Sequence, residues 1–299
     1  RRDPPQPRLL AKNRGEKPSS EVPKMRNRTA ILGAILCPIL FINFQPIAEA
    51  EEKFSISEED RNYWAFRPVD PSNHESSSID SIVDKAIKIN RLVQNSSADR
   101  RILIRRAYFD LVGLAPTYQE IKAFEADLSS TEKALSSVVN KLLAMPEYGE
   151  RWGRHWLDVV RYAQTNGYER DDEKPNAWRY RDYVIKAFNT DKPYDRFVLE
   201  QLAGDELILE AFNKDKPFVE GGDEGLIATG FYRLGVWDDE PDDKKAAEYD
   251  GLDDILRTTT ETFLGLTTGC ARCHDHMFDP ISQKDYYSML AYFRNVRNY

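Results

Sequence analysis

The chain has 299 residues, of which 41% are hydrophobic and 31% are charged, and its formal net charge at pH 7 is -8. This is ordinary globular composition, with enough apolar material for one core or two small ones. A nucleic-acid-binding protein usually carries a basic face, so the acidic balance argues against nucleic acid as a partner.

The first fifty residues are expected to lie outside the fold. Residues 1–24 are rich in Arg, Lys and Pro, and we interpret them as a non-native or mis-assigned extension. Residues 25–50 have the layout of a secretory signal peptide, with a positive start, an apolar run and the small-x-small site Ala48-Glu49-Ala50. The alternative is an uncleaved segment that anchors the chain, although the run is short of the ~20 residues that a span needs. We therefore predict a periplasmic or secreted protein that meets the membrane only through this segment, if it is uncleaved.

The rest of the chain is predicted to be helical. Residues 51–77 are interpreted as an extended, polar segment that leads into a domain over residues 78–295. Apolar residues then recur at helical spacing, and capping residues, Gly and Pro mark the ends of the segments. The expected helices are 79–89, 99–111, one opened by the capping-box pair Thr117 and Glu120, one that ends before Pro146, 148–163, 178–190, 194–203, 246–264 and 282–295.

No alternating run of useful length indicates a strand. The predicted fold class is therefore mainly α, an irregular multi-helix domain with long loops and a c-type haem motif near its C-terminal end. The loops 164–177 and 212–245 are rich in Gly, Asp, Glu and Pro, and loops of this length in a compact domain are usually functional or mobile. An apolar helix face runs to the end of the sequence, so we expect residues 296–299 to begin a missing C-terminal domain.

The strongest chemical signal is the motif Cys270-Ala271-Arg272-Cys273-His274. The chain has three cysteines, and Cys37 lies in the segment that is expected to be removed. Two thiols at the motif's spacing can bond to the two vinyl groups of one haem, and the adjacent imidazole then lies beneath the iron. We predict covalent haem c, with Cys270 and Cys273 as attachment points and His274 as the iron ligand.

Two alternatives remain open at this motif. Thiolates and imidazoles at close spacing suit zinc or copper, so Cys270, Cys273, His274 and His276 could form a metal site instead. The two cysteines could also form a local disulfide, with both histidines solvated.

A distal haem ligand would have to come from elsewhere in the chain. The candidates are His155, Met145 and Met289. His155 is preferred, because Trp152 and Trp156 flank it on one face of a predicted helix. The alternative is a hydrogen-bonded core histidine. Without a distal ligand, the open position on the iron would allow chemistry on peroxide or other small ligands.

The acidic loop 238–243 is a weaker candidate site. Several carboxylates at close spacing can bind Ca²⁺. The loop lacks the glycine and the spacing of an EF-hand, and the alternative is a solvated loop.

Several strings of residues together resemble one known family, the planctomycete cytochrome-c-like domain of unknown function. The likeness runs from about Ile79 to Phe293. The strings are GERWGRHWLD (149–158), YA (162–163), NGYE (166–169), WRYRDY (178–183), DKPYD (191–195), QLAGD (201–205) and GCARCHDHMFDPI (269–281).

The resemblance implies a large secreted or periplasmic protein in which this domain precedes a planctomycete-specific C-terminal domain. Many relatives carry a separate cytochrome-c module in front of the segment around Trp64, whereas here the predicted signal peptide leads directly to it. The family implies no settled reaction.

Three functions are compatible with these features. The leading hypothesis is an electron-transfer module that serves a redox partner or an adjacent catalytic domain. The second is an exported redox enzyme with an open haem or metal centre, and the third is a structural module. Whether the chain is an enzyme stays open, since it shows no Ser-His-Asp order, Gly-rich phosphate loop or Walker-type lysine.

Overall fold

The structure is a computed structural model that describes residues 54–68, 78–213 and 223–296. These residues belong to one compact unit, Lys53–Tyr299. The predicted extension 1–24, the predicted signal peptide 25–50 and residues 297–299 lie outside the described residues. Within the described ranges, none of the helices combines the length and the apolar character that crossing a membrane requires.

The prediction of a mainly α fold is confirmed. Over the described ranges the chain forms eleven α-helices, and its only β-type pairing is an isolated antiparallel bridge between Thr165 and Glu173. The helices are α1 (Glu58–Asn62), α2 (Ile79–Ile89), α3 (Arg100–Leu111), α4 (Tyr118–Ala126), α5 (Thr131–Leu143), α6 (Pro146–Val159), α7 (Ala177–Asn189), α8 (Tyr194–Asn213), α9 (Glu224–Ala228), α10 (Lys244–Thr259) and α11 (Gln283–Leu290).

The predicted helix ends are set by local chemistry. At the start of α4 the Thr117 hydroxyl accepts from the Glu120 N–H at 3.3 Å, and the Glu120 carboxylate accepts from the Thr117 N–H at 2.8 Å. Ser282 and Asp285 form the same reciprocal pair at the start of α11. Each pair satisfies N–H groups that have no partner within the helix, which is why these two starts could be located in advance.

Two segments are more ordered than the sequence indicated. The segment 51–77 is not extended throughout, because a Ser57–Asp60 capping box begins α1 and a 3-10 turn follows at Trp64–Phe66. The expected long loop 212–245 is also wrong in part. It contains α9 and the 3-10 turn Thr229–Arg233, which pack on α8.

Helix α2 is amphipathic but buries nothing. Most of its apolar residues face solvent, with Ile79 80% exposed and Ile89 70% exposed. The apolar spacing therefore predicted the helix correctly and gave no information about what packs against it.

The buried side chains form three clusters along the chain. The first joins α3, α4 and α5 around Ile104 and Leu142. The second joins α6 to α9 with the 3-10 turn Thr229–Arg233, and it is rich in aromatic rings. The third lies between α10 and α11 and includes Ala271, so the cysteine motif rests directly on it.

The acid stability of the first cluster should depend on Glu120. Lys141, which lies 2.8 Å from the carboxylate, together with Tyr108 and Thr117, lowers the pKa of Glu120 from 4.5 to about 2. A carboxylate with a depressed folded pKa contributes stability above its unfolded pKa and loses that contribution as pH falls through the folded pKa. The pair is partly solvated, so we expect a contribution of about 1 kcal/mol or less.

The measurement is thermal unfolding of wild type and Glu120→Gln at pH 7, 4.5 and 2.5. The wild type should lose more stability than the variant between pH 4.5 and 2.5. Glu132→Gln, at an exposed position in the first turn of α5, is the matched control. Parallel curves for wild type and Glu120→Gln would contradict the prediction.

Candidate functional site

The cysteine motif lies on a short turn between α10 and α11. The π-helical turn Thr260–Leu264 ends at Gly265, whose φ of 66° belongs to the left-handed region that glycine adopts without strain. The chain then returns to the helix end, where the hydroxyls of Thr260 and Thr268 are 2.9 Å apart and buried. The 3-10 turn Gly269–Arg272 follows directly and carries the first three residues of the motif.

The turn has an inner and an outer side. Ala271 is fully buried in the third cluster, whereas Cys270 and Cys273 on either side of it are exposed, free thiols. Both sulfur atoms are therefore accessible to a reagent approaching from solvent. The small Ala271 side chain lets the turn lie close to the core while the thiols stay outside.

His274 is held in one tautomer. Its side chain is exposed and its Nδ1 lies 2.7 Å from the carbonyl oxygen of Asp275. Because a carbonyl oxygen only accepts, Nδ1 carries the proton and Nε2 keeps a lone pair. A backbone carbonyl at one ring nitrogen is a common way to fix a metal-ligating histidine, so His274 has the form that an axial ligand requires.

His276 has the opposite arrangement. Its side chain is 6% exposed, and its Nδ1 accepts from the backbone N–H groups of Asp279 at 2.8 Å and Phe278 at 3.3 Å. The neutral ring therefore carries its proton on Nε2, and neither nitrogen offers a free lone pair. The ring closes the loop after the motif, a role that the sequence gave no sign of.

The apolar residues after the motif divide between surface and core. Met277 and Phe278 are 75% and 84% exposed, so they offer apolar surface beside the motif. Ile281, by contrast, is buried in the third cluster.

The turn is fixed to the helices beneath it by a polar network in which Asp253 and Tyr286 are buried. Arg272 pairs with Asp250 at 2.5 Å and with Asp253 at 3.2 Å, and the bond to Asp250 is the largest cause that raises the pKa of Arg272. The buried Tyr286 hydroxyl donates to the other oxygen of Asp253. On the α11 side, the Gln283 amide and the Tyr287 hydroxyl both donate to the Arg272 carbonyl. Sequence reasoning missed this network, although the spacing of Asp250 and Asp253 puts both carboxylates near one face of α10.

Comparison with known families finds a match over most of the chain. The model of PSCyt2, described as a protein of unknown function (DUF1549), matches residues 78–298. The chain belongs to the PSCyt2 family. The match covers α2 to α11 and includes the cysteine motif. No curated protein and no solved structure matches the chain significantly.

The predicted distal ligand lies on the surface of the PSCyt2 domain. His155 is exposed on α6 and makes an edge-on contact with Trp152 at 5.6 Å between ring centres. The alternative of a core histidine is therefore wrong. It is Trp156 that points inward, where its Nε1–H donates to Gln201 at 3.1 Å. Helix α6 packs mainly on α7, whereas the motif lies between α10 and α11.

Carboxylates of the acidic loop of the PSCyt2 domain bond to an arginine and to backbone N–H groups. Arg170 pairs with Asp239 at 3.2 Å and with Glu240 at 2.5 Å. Asp243 caps α10 by accepting from two backbone N–H groups. In the part of the chain that the structure describes, no group of three or more His, Cys, Asp or Glu side chains is arranged to hold a metal ion. These contacts give Asp239, Glu240 and Asp243 protein partners, and the calcium site stays a prediction.

Proposed function

We propose that this PSCyt2 domain is an exported c-type haem protein that exchanges electrons with a redox partner or a further domain. The proposal takes up the resemblance to planctomycete cytochrome-c-like domains. It also follows the expected signal peptide, because export brings a bacterial chain to the side of the membrane where haem is attached. One observation carries it: two free, exposed thiols and an imidazole with a free Nε2 are adjacent on a single fixed turn.

The residues present fit the chemistry that haem attachment needs. The thiols of Cys270 and Cys273 are exposed and unpaired, so both can react with a macrocycle lying over the turn. His274 offers Nε2 to the iron, and the Asp275 carbonyl orients the ring. The haem would supply a one-electron couple, whose potential is set by its axial ligands, hydrogen bonds and solvent exposure.

The residues around the motif favour electron transfer at the protein surface. Met277 and Phe278 offer exposed apolar area beside the turn, which suits contact with a porphyrin edge. The network from Arg272 to Asp253 holds the turn in place, so attachment requires little rearrangement of the backbone. A cofactor on an exposed turn is within reach of a docking partner.

The alternative metal site is less well supported. It needs a ring nitrogen of His276, but Nδ1 of that residue accepts from Asp279 and Phe278, which leaves the proton of the neutral ring on Nε2. A zinc or copper site would therefore have to break the loop that His276 closes. We keep this site as an outcome of the test below.

The test is expression of the exported chain in a host that matures c-type cytochromes, followed by a pyridine haemochrome spectrum of the denatured protein. We expect one covalent haem per chain in the wild type and none in Cys270→Ala/Cys273→Ala. Cys37 lies in the segment expected to be removed, so Cys37→Ala is the matched control and should retain the haem. A colourless wild type that carries zinc or copper would overturn the proposal in favour of the alternative site.

The same preparation tests the distal ligand. If His155 binds the iron, His155→Ala should convert a low-spin spectrum into a high-spin one. An unchanged spectrum would remove His155 as a ligand and leave haem attachment itself unaffected.

A further inference from the structure

A cavity separate from the cysteine motif lies between the loop 164–177 and the segment from α9 to Trp237. Its volume is about 800 Å³, which falls in the range of small-molecule binding sites. The sequence marked both segments as long loops of functional or mobile type. The structure brings the two segments together, and the backbone N–H of Trp237 donates to the backbone carbonyl of Asn166 at 2.9 Å between them.

Most of the cavity wall is apolar. Tyr180 and Leu234 are 2% exposed and belong to the aromatic second cluster, so this part of the wall is fixed by core packing. The remaining apolar residues of the wall come from the loop, α7, α9 and the segment after the 3-10 turn. They are Pro175, Ala177, Leu226, Ile227 and Trp237.

Gly230 keeps part of the cavity open. A Cβ at this position would meet only the Tyr180 side chain, at 3.7 Å, which is an ordinary contact distance. Any larger side chain at position 230 would therefore extend into the space beside Tyr180. The glycine is not required by its backbone conformation, because its φ is not in the left-handed region.

The charged residues of the wall are mainly basic. Lys174, Arg179 and Arg233 line the cavity together with a single carboxylate, that of Glu173. The guanidinium carbon of Arg233 lies 4.8 Å from the centre of the Trp237 ring. The cavity thus combines an aromatic face with a positive field, and the positive charge favours an anionic group.

Lys174 is held at the cavity wall by backbone carbonyls. Its half-buried amine donates to the carbonyls of Leu234 at 3.0 Å and Gly235 at 2.5 Å. Among the described residues no carboxylate forms an ion pair with it. Burial, and then the nearby Arg161 and Arg233, lowers the pKa of Lys174 to about 8. The nearby Asp254 carboxylate is paired with Arg161, so an anion bound here would add a negative partner for Lys174.

We propose that this cavity binds an organic anion, with an apolar or aromatic body against Tyr180 and Trp237 and an acidic head group at Lys174. The site is independent of the proposed haem function. A mostly apolar wall with a few convergent charged groups is the usual make-up of a site for such ligands.

The experiment is isothermal titration calorimetry of the full chain with 8-anilinonaphthalene-1-sulfonate, an aromatic sulfonate of suitable size. We expect one binding event per chain in the wild type. Lys174→Met should weaken it by about tenfold, since a hydrogen bond to a charged group is lost. Gly230→Leu should abolish it by filling the cavity. Lys141→Met, on α5 and outside the cavity, is the matched control and should bind as the wild type does.

A further variant makes the test independent of Gly230. Leu226 is 59% exposed and lines the cavity, so Leu226→Glu places a negative charge there while leaving the core intact. It should weaken binding of the sulfonate by at least about tenfold. Equal binding by wild type, Lys174→Met and Leu226→Glu would overturn the proposal, because the probe would then bind to apolar surface elsewhere. Haem attachment would be unaffected by that result.

Discussion

Gly204→Ala should lower the melting temperature of the domain by roughly 6–12 °C. A Cβ on Gly204 would lie 2.1 Å from the carbonyl oxygen of Gly225, and a Cβ on Gly225 would lie 2.7 Å from the carbonyl oxygen of Gly204. The obstructing atoms belong to the backbone, so α8 and α9 would have to separate. Overpacking of this kind costs about 3 kcal/mol, and each kcal/mol shifts the melting temperature of a domain of this size by about 2–4 °C.

Gly230→Ala is the control for this prediction. Its new Cβ would meet Tyr180 at 3.7 Å and should cost little. Neither Gly204 nor Gly230 has a positive φ, so the two substitutions differ in steric surroundings and not in backbone strain. The measurement is the melting temperature of each variant, followed by circular dichroism. Equal losses in the two variants would contradict the steric argument.

The sequence contains most of the information needed to locate helices in this chain. Caps such as Thr117 with Glu120 and Ser282 with Asp285 act between neighbours in sequence, so they can be read without knowledge of the fold. Packing partners cannot be read in the same way. The apolar spacing in α2 predicts a buried stripe as readily as the exposed one that the structure has.

Close approach between helices is also invisible in a single sequence. Gly204 reads as a helix-weakening residue. The predicted helix end at 203 coincides with a break in α8, where Ala203 leaves the helical conformation (φ -145°, ψ 30°) before the helix continues to Asn213. A glycine is needed at position 204 because the backbone of Gly225 lies against it, and Gly225 belongs to a segment that was expected to be a loop. The contact between α8 and α9 is tertiary and has no local signature.

In the candidate site too, the local features could be predicted from the sequence and the tertiary ones could not. The spacing of Cys270, Cys273 and His274 is local, and the structure brings these three residues to one exposed turn. The roles of the other histidines depend on their surroundings. His276 looked like a metal ligand in the sequence and closes a loop in the structure. His155 was placed beside tryptophans and lies at the surface.

The polar network beneath the cysteine motif should be essential to the stability of the domain and to haem attachment. Asp253 accepts from the Tyr286 hydroxyl and from Arg272, and its side chain is 11% exposed. Burial, and then the bond to Asp253, raises the pKa of Tyr286, so the hydroxyl stays protonated and remains a donor. Asp253→Ala would leave both donors without this acceptor. Leaving a buried donor without its acceptor costs about 1–3 kcal/mol. We expect a loss of about 2–3 kcal/mol, because Tyr286 is buried, whereas Arg272 is 37% exposed and keeps Asp250.

Asp250→Ala separates this effect from the loss of a surface charge. Asp250 also pairs with Arg272, but its side chain is 62% exposed, so its removal should cost about 1 kcal/mol or less. Urea unfolding of the haem-free Cys270→Ala/Cys273→Ala protein, with and without each Asp substitution, measures both losses. In the cysteine-containing chain, Asp253→Ala should also reduce the yield of covalent haem while Asp250→Ala leaves it near the wild-type level. A stable Asp253→Ala variant would show that the third cluster alone holds the turn, since Ala271 and Ile281 would then be sufficient to position the motif.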